Sequence, residues 1–418
     1  MTSTLHVFTI ALLFTANILS AQQTLHEISM KPGYSDEVYV SLAKGKVKSA
    51  SLTEWDLGFE IKGFSSSIIV NEGKGWELYY IPESTESSFS QSLQESDISQ
   101  WERVINSPRS WSSGAFNRGV DAALGTYGWG EYNPATHTVT GSAVYVMKLA
   151  DKMMKKVFIT GLAGGTYTFK YANLDGTDEK TGAVAKSDFE GRNFGYYSFA
   201  TQDVVDHEPE TQQWDMVFGK YVDYAPDQSG NEIPYPVAGI RTNMGITVAK
   251  VPNGATMSGV PDESVFSNHI NTIGFSWKTF TGSGWSIDTS TAYYVKNQQN
   301  TIYKIVFKNF GGMSTGTTVF TQEEIVASTI NDDVTEDNTM YSVYPTMLTS
   351  ASTLNIQSQY QMTGISLCDY TGKTVWTNRF TAPESMVSIS VPSLPTGHYA
   401  VLIHGGTTTI VKKICIYQ

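Results

Sequence analysis

Cysteine is nearly absent from this chain of 418 residues, since Cys368 and Cys415 are the only two and both lie near the C-terminus. Without disulfides, the long middle of the chain must be stabilised by packed cores. The two cysteines would pair only if adjacent strands brought them together, and their spacing leaves this open.

Positive charge is also scarce. Lys and Arg number 28 against 40 Asp and Glu, which gives a formal net charge of -12. Lys and Arg form no cluster, so the composition argues against nucleic acid as a partner and offers nothing to anionic lipids. The same acidity would help to keep a secreted protein soluble.

Charged residues of either sign make up only 16% of the chain, whereas hydrophobic residues reach 40% and aromatic residues 12%. This composition is sufficient to fill real cores, so the chain is expected to fold. Gly, Ser, Thr and Tyr are plentiful, which favours strands and turns over exposed helices. We therefore predict an all-β protein, and the length suggests two or three domains.

Long hydrophobic runs are confined to the N-terminus. There "VFTIALLF" is followed by the small residues of "ILSA", which predicts a signal peptide over residues 1–21 with cleavage after Ala21, although no Lys or Arg precedes the run. The run is too short to span a bilayer, and no other segment is long enough. We expect no transmembrane segment and a mature chain that is soluble or held at the surface.

What the chain does contain is a set of segments that occurs twice. "TEWDLGFEI" recurs as "QQWDMVFGKY", and in both places an aromatic strand precedes it and a hairpin and a closing strand follow it. An ordered set with similar spacing indicates a duplicated domain, with one copy at residues 27–175 and the other at 190–327. Each copy is predicted to be built of strands; in "TAYYVKNQQNTIYKIVF", for example, two β-rich runs flank a polar turn.

A third module follows the second copy. Residues 328–340, "STINDDVTEDNTM", are polar and acidic and indicate a solvated linker. Residues 341–418 contain short β-rich runs separated by turn residues, which predicts a small C-terminal β-sandwich.

This tail resembles the type A sorting domain of the type IX secretion system of Bacteroidota. The residues that carry the resemblance are "YSVYPT" at 341–346, "DYTGKTVW", "LPTGHYAVLI" at 394–403 and "TIVKKICIY", although Thr346 follows Pro345 where the usual pattern has Asn-Pro. The resemblance implies export by the signal peptide, recognition of the tail by the type IX secretion machinery, and then its removal with release or anchoring to surface glycolipid. Both cysteines would leave with the tail.

Each duplicated unit resembles the HmuY-like family of haem-binding exported proteins. The residues that carry this resemblance are "WDLGFEI", "WDMVFGKY", "GIRTNMG" and "GGTYTFKY". It implies an antiparallel β-domain that holds haem between hairpin-like fingers by two axial side chains, often His. The expected architecture is therefore two tandem antiparallel HmuY-like β-domains plus the C-terminal β-sandwich.

The candidate haem ligands are few. His137 and His269 lie nearest to the regions that carry ligands in the family, but they belong to different copies, so neither copy holds a complete bis-His site. Three arrangements remain open: Met244 or Met257 pairs with His269, the two copies share one haem, or the site has been lost. A lone His beside a strand is also often a polar surface residue, and His207 is a weaker candidate than the other two.

The remaining motifs indicate structure rather than chemistry. We expect Trp55 and Trp214 of the two Trp-Asp pairs to be core anchors. "GMSTG" around Ser314 matches a nucleophile pattern, but a strand-like run follows it, so we interpret it as a turn. "NLDGTDEKTG", with Asp175 and Asp178, lacks the spacing of a calcium loop. The sequence thus predicts no enzyme and no metal site.

The leading hypothesis is an exported, haemophore-like protein of a Bacteroidota-type bacterium, secreted or on the outer surface, whose partners are haem or a haem-carrying protein. The alternative is a structural or adhesive surface protein without catalysis that binds a protein or glycan on the same β-scaffold. An opposed pair of His or Met donors around a flat apolar cleft would favour the first, and their absence the second.

Overall fold

A computed structural model describes residues 23–62, 66–118, 125–150, 153–257, 259–325, 341–349, 352–369, 373–405 and 408–417. The predicted signal peptide and the predicted linker at 328–340 lie outside these residues. The chain divides into two compact units. The first runs to Pro252 and resumes from Val265 to Glu324, and the second comprises Asn253–Ser264 and Ile325–Gln418.

Both units consist mainly of antiparallel strands rich in β-branched and aromatic residues, so the predicted all-β class is confirmed. The strands up to residue 185 are β1 (Thr24–Ser29), β2 (Asp36–Ser41), β3 (Gly45–Ser51), β4 (Leu57–Glu60), β5 (Ile68–Val70), β6 (Glu77–Tyr80), β7 (Glu102–Val104), β8 (Gly130–Asn133), β9 (Thr138–Gly141), β10 (Val144–Lys148), β11 (Met154–Ala163), β12 (Thr166–Ala172) and β13 (Lys180–Ala185).

The first unit continues with ten further strands. They are β14 (Phe194–Ser198), β15 (Asp203–Val205), β16 (Met216–Pro226), β17 (Glu232–Thr242), β18 (Thr247–Val251), β19 (Lys278–Phe280), β20 (Trp285–Ile287), β21 (Ala292–Lys296), β22 (Ile302–Phe310) and β23 (Thr317–Ile325). Helical structure is short. Among the residues that the structure describes, it consists of α1 (Glu86–Phe89), α2 (Gly312–Thr315) and 3₁₀ turns at Pro32–Tyr34, Glu95–Gln100, Ala115–Asn117, Lys186–Phe189, Thr211–Gln213, Gly254–Thr256 and Glu263–Val265.

Two sheets of the first unit share one strand order. In the larger sheet the order is β13-β12-β11-β10-β6-β7, and the hairpin of β8 and β9 attaches to β11 through β9. In the smaller sheet the order is β1-β23-β22-β21-β18. Strand β1 thus takes beside β23 the place that β13 takes beside β12, with Thr24 opposite Gln322. Strand β1 therefore closes a sheet formed mainly by residues after 246.

Two four-stranded sheets also correspond to each other, and each combines strands from the two halves of the unit. Their orders are β15-β14-β4-β5 and β3-β2-β16-β17. Strand β4, which follows the first Trp-Asp pair, pairs with β14, and β16, which follows the second pair, pairs with β2. We call the aromatic strands that precede the Trp-Asp strands the opening strands: β2 opens the first half of the unit and β14 the second. Each opening strand therefore pairs with the Trp-Asp strand of the other half. Strand pairing crosses the boundary between the predicted copies at 27–175 and 190–327, and those boundaries stay a prediction.

The hydrophobic cores reflect this exchange of the opening strands between the two halves. One core is formed by residues between Leu57 and Tyr197, and the other combines residues 28–42 with residues from Met216 to Phe320. Between them lies a cluster that we call the junction, made of Tyr39, Trp55, Ile69, Trp111, Phe194, Tyr196, Trp214, Val217 and Ile270.

The second unit contains the tail strands β24 (Tyr341–Tyr344), β25 (Met347–Thr349), β26 (Thr353–Cys368), β27 (Thr374–Ser390), β28 (Gly397–Gly405) and β29 (Thr408–Tyr417), which share one apolar core. Cys368 and Cys415 are free thiols. Cys368 lies opposite Ala400 and Cys415 opposite His398, so β28 separates the strands that carry them. Two strand spacings amount to about 9.6 Å, too far for a disulfide.

Candidate functional site

His137 lies at the turn of the hairpin between β8 and β9. Its backbone has a positive φ of 55°, and its amide donates to the carbonyl of Asn133 at 2.9 Å. The ring is exposed, and its Nδ1 lies 2.7 Å from the hydroxyl of Tyr132. The structure thus places this predicted haem ligand on the larger sheet, with one ring nitrogen already in a hydrogen bond.

The other three predicted ligands lie elsewhere. His269 is exposed, and Met244, after β17, is half-buried against the junction. The amide of Thr242 donates to the carbonyl of Ile270 at 2.8 Å, so Met244 and His269 lie on neighbouring segments. Axial ligands must approach an iron from opposite faces of the porphyrin, and side-by-side segments do not by themselves provide this. Met257, half-buried in the second unit, and the other ligand assignments stay predictions.

The Trp-Asp pairs have structural roles that match between the halves. Trp55 packs edge-on against Tyr196 at 4.9 Å and Trp214 against Tyr39 at 5.0 Å between ring centroids. Both Trp side chains are buried, at 5% and 2% exposure, which confirms them as core anchors. In each contact the Tyr comes from the opening strand of the other half.

The adjacent Asp side chains hold the ends of the same opening strands. Asp56 Oδ2 accepts from the amide of Phe199, and Asp215 Oδ2 from the amide of Leu42, each at 2.6 Å. The Asp amides in turn donate to carbonyls of those strands, at Tyr197 and Val40, both at 2.8 Å. The repeated motif therefore fixes the register of the exchanged strands.

A buried ionic network crosses the junction. His207 is completely buried, with Nε2 2.6 Å from Glu37 Oε2 and Nδ1 2.7 Å from Glu54 Oε1. Glu37 Oε1 also accepts from Arg241 Nη2 at 3.2 Å. Burial by itself lowers the pKa of His207, but the hydrogen bonds to the two carboxylates outweigh it and raise the pKa. His207 is thus part of a structural ion pair that joins residues before β4 to residues after β15.

Glu208 is buried beside this network. Its Oε1 accepts from the amides of Asn193 and Phe194, and the hydroxyl of Tyr196 lies 3.1 Å from its Oε2. Burial raises its pKa to about 7 against these hydrogen bonds. The cavity at this point has a volume of only about 10 Å³, about the size needed for one water molecule, so it is not a ligand site.

A much larger cleft opens at one end of the first core. Its volume of about 420 Å³ lies within the range of small-molecule sites. Five separate segments form it: Asp56 before β4, residues 74–76 before β6, Leu149 with residues 153–155 at the facing ends of β10 and β11, the end of β12 with the turn to β13, and the turn between β14 and β15. The lining residues are Asp56, Lys74, Trp76, Leu149, Met153, Lys155, Tyr171, Asn173, Asp178, Lys180, Phe199, Ala200 and Gln202.

The floor of the cleft is aromatic. Phe199 stacks on Tyr171 with ring centroids 4.3 Å apart and an interplanar angle of 27°, and Trp76 meets Phe199 edge-on at 6.2 Å. Leu149 and Met153 form an aliphatic wall, and Met153 is 49% exposed. Offset aromatic faces with an aliphatic wall suit a ligand with a flat apolar body.

The rim of the cleft is cationic. Lys74 Nζ is 2.6 Å from the buried Asp56, whereas Lys155 Nζ lies 2.8 Å from Asn173 Oδ1 and 3.1 Å from Asp178 Oδ2. Lys180 contacts the other oxygen of Asp178 at 3.4 Å. Three lysines therefore meet two carboxylates, of which Asp178 is half exposed and Asp56 is buried. Local sequence patterns do not reveal this cleft, because its residues come from distant segments of the chain.

Comparison with known proteins identifies the tail. Residues 342–417 match the secretion system C-terminal sorting domain. The protein is therefore a type IX secretion substrate, secreted or attached to the outer surface. In the part of the chain that the structure describes, no helix is long and apolar enough to cross a membrane.

The solved structures that the chain resembles are distant. Apo PinO from Porphyromonas gingivitis is 13% identical, with 73% of this chain and 98% of that chain covered and a TM-score of 0.20. PorZ, a surface component of the type IX secretion system of Porphyromonas gingivalis, is 10% identical, with 69% and 44% covered and a TM-score of 0.17. A search of curated proteins finds no match. The family match covers the tail alone, so the resemblance to the HmuY-like family stays a prediction.

Proposed function

We propose that this protein is an exported binding protein without catalysis, and that its ligand occupies the cleft floored by Trp76, Tyr171 and Phe199. The observation that supports the proposal is a cleft of about 420 Å³ that joins a stacked aromatic floor to a cationic rim. Both features lie at strand ends and adjoining turns of the first unit, and ligand sites of this kind are usually largely preformed.

Haem is the first ligand to test, because the resemblance of the duplicated units implies it. A porphyrin has a flat apolar body and acidic edge groups, and both match the cleft. Among the described residues that line the cleft, Met153 supplies the one soft axial donor. The alternative ligand positions are those predicted from the sequence, at His137, His269, Met244 and Met257, and the experiment has to separate the two locations.

The test is a haem titration of the chain from Gln22 onward, followed by Soret absorbance. Ala200→Trp fills the cleft from an exposed lining position, and Ala163→Trp places the same bulk at an exposed position outside it. We expect a Soret shift at micromolar haem that Ala200→Trp weakens and Ala163→Trp leaves unchanged. A shift that survives Ala200→Trp but is lost in His137→Ala or His269→Ala would move the site to the sequence-predicted ligands.

The donor is identified by a second series. Met153→Leu, Met244→Leu and Met257→Leu remove a thioether at nearly constant volume. We expect only Met153→Leu to change the Soret maximum. No Soret shift in the unsubstituted chain at micromolar haem would remove haem as the ligand.

A second function is favoured by one separate observation. Tyr224 and Tyr235 on the hairpin of β16 and β17 are 46% and 55% exposed, and Phe280 and Trp285 on the hairpin of β19 and β20 are 58% and 37% exposed. Exposed aromatic side chains of this kind suit adhesion to a protein or glycan. Loss of surface or glycan adhesion in Phe280→Ser with Tyr235→Ser, while haem binding is retained, would support this function.

A further inference from the structure

The rim of the cleft contains an ion pair with unusual partners. Lys155 is only 13% exposed, which is low for a lysine, whereas Asp178 is 50% exposed and lies in a turn with a positive φ of 54°. Lys180, 38% exposed, contacts the same carboxylate. A well-positioned cation is thus paired with a carboxylate that water already reaches.

In such a pair another anion can replace the exposed carboxylate. The side chain of Asp178 is 50% exposed, so its carboxylate can turn to water when another anion takes its place beside Lys155. Lys155 remains in place after this exchange because Asn173 Oδ1 still accepts from its Nζ at 2.8 Å. Lys74, by contrast, is held at 2.6 Å by Asp56, a carboxylate that is only 1% exposed. The exchangeable anion position therefore lies at Lys155 and Lys180.

This position borders the aromatic floor. Lys155, Lys180 and Asp178 line the same cleft as Tyr171 and Phe199. We propose that the cleft selects flat aromatic ligands that carry a carboxylate, with the ligand carboxylate seated on Lys155 and Lys180 in place of Asp178. This inference rests on the proposed function, since it concerns the same cleft, and it defines the chemical class of the ligand independently of iron.

The test compares two probes of the same shape, 2-naphthoate and 2-naphthamide, which differ in charge. Binding to the chain from Gln22 onward is measured by isothermal titration calorimetry at pH 7. We expect naphthoate to bind at least about fivefold more tightly than naphthamide, as one charge-assisted hydrogen bond contributes about 1 kcal/mol or more. Ala200→Trp should weaken both probes.

Two variants give opposite outcomes. Lys155→Gln should weaken naphthoate about tenfold and leave naphthamide unchanged. Asp178→Asn should strengthen naphthoate severalfold, because it removes the competing carboxylate, and asparagine tolerates the positive φ. Unfolding midpoints measured alongside show whether each variant is folded. If Lys155→Gln does not fold, Asp178→Asn still tests whether the ligand carboxylate takes the place of Asp178.

The outcomes separate this inference from the proposed function. Equal affinity for the two probes, with both weakened by Ala200→Trp, overturns the carboxylate preference and leaves the cleft as a binding site. If neither probe binds and the Soret response to haem is unchanged in Ala200→Trp, both the carboxylate preference and the cleft as the ligand site are overturned. Tighter naphthoate binding in Asp178→Asn with weaker binding in Lys155→Gln supports both.

Discussion

Glu208→Gln should make the stability of the first unit less dependent on pH. The folded pKa of Glu208 is raised from 4.5 to about 7 by burial. A carboxyl whose folded pKa is raised holds its proton more tightly in the folded state. Folding is therefore favoured at acidic pH, and that contribution is lost as the pH rises through about 7.

The magnitude follows from the two pKa values. Between pH 5 and pH 8, a shift from 4.5 to about 7 removes about 2.5 kcal/mol from the free energy of unfolding. Solvent screening does not reduce this value, since Glu208 is only 2% exposed. Glutamine keeps an acceptor for the amides of Asn193 and Phe194 but does not titrate, so the variant should lose this contribution while the fold is retained.

The assay is urea unfolding at pH 5, 6, 7 and 8, followed by tryptophan fluorescence. Burial also raises the pKa of Glu72, to about 8, and the pKa of His207 is raised by its carboxylate partners, so the unsubstituted chain should lose stability from pH 5 to pH 8 through all three groups. In Glu208→Gln we expect the loss to be smaller by about 2.5 kcal/mol. Identical pH dependence in the two proteins would refute the reasoning that Glu208 is protonated in the folded junction.

Two further comparisons test the exchanged strands. Trp55 Nε1 donates to Glu37 Oε2 at 3.3 Å, whereas Trp214 Nε1 has no hydrogen-bond partner among the described residues. Because Trp55→Phe loses this hydrogen bond, it should lower the free energy of unfolding in urea by about 1 kcal/mol more than Trp214→Phe does. Equal losses in the two variants would contradict this role of Glu37. Ile28, in β1, is 5% exposed in the second core, so Ile28→Ala should cost about 2–4 kcal/mol, while Leu25→Ala on the same strand, 68% exposed, should change stability by less than about 0.5 kcal/mol. A small effect at Ile28 would mean that β1 does not close that core in solution.

The all-β fold class, the sorting tail and two core residues could be predicted from local sequence patterns. The low content of charged residues and the abundance of Gly, Ser, Thr and Tyr indicated strands, and the residues of the tail identified the sorting domain that the family match confirms. Trp55 and Trp214 were expected in the core because large aromatic side chains bury the most apolar surface. The identity of the ligand, the haem ligands and the absence of catalysis stay predictions.

His207 shows why other features could not be predicted. In the sequence it lies in the polar segment "VVDHEPE", which suggested an exposed residue, yet it is completely buried. Its partners Glu37 and Glu54 are more than 150 residues away in the sequence, and the pairings of β4 with β14 and of β2 with β16 bring their segments together. Long-range pairing has no local signal, because any strand of suitable alternation can occupy the same place in a sheet.

The sequence by itself determined the strand-rich class, the export route and the Trp-Asp residues that recur in each half, since these depend on side-chain type and short-range spacing. The tertiary structure alone decided that the opening strands are exchanged between the halves, that His207 is enclosed by two carboxylates, and that Trp76, Tyr171 and Phe199 meet in one cleft. These arrangements depend on which distant segments lie side by side, and that choice is made by the burial of whole sheet faces rather than by any single motif.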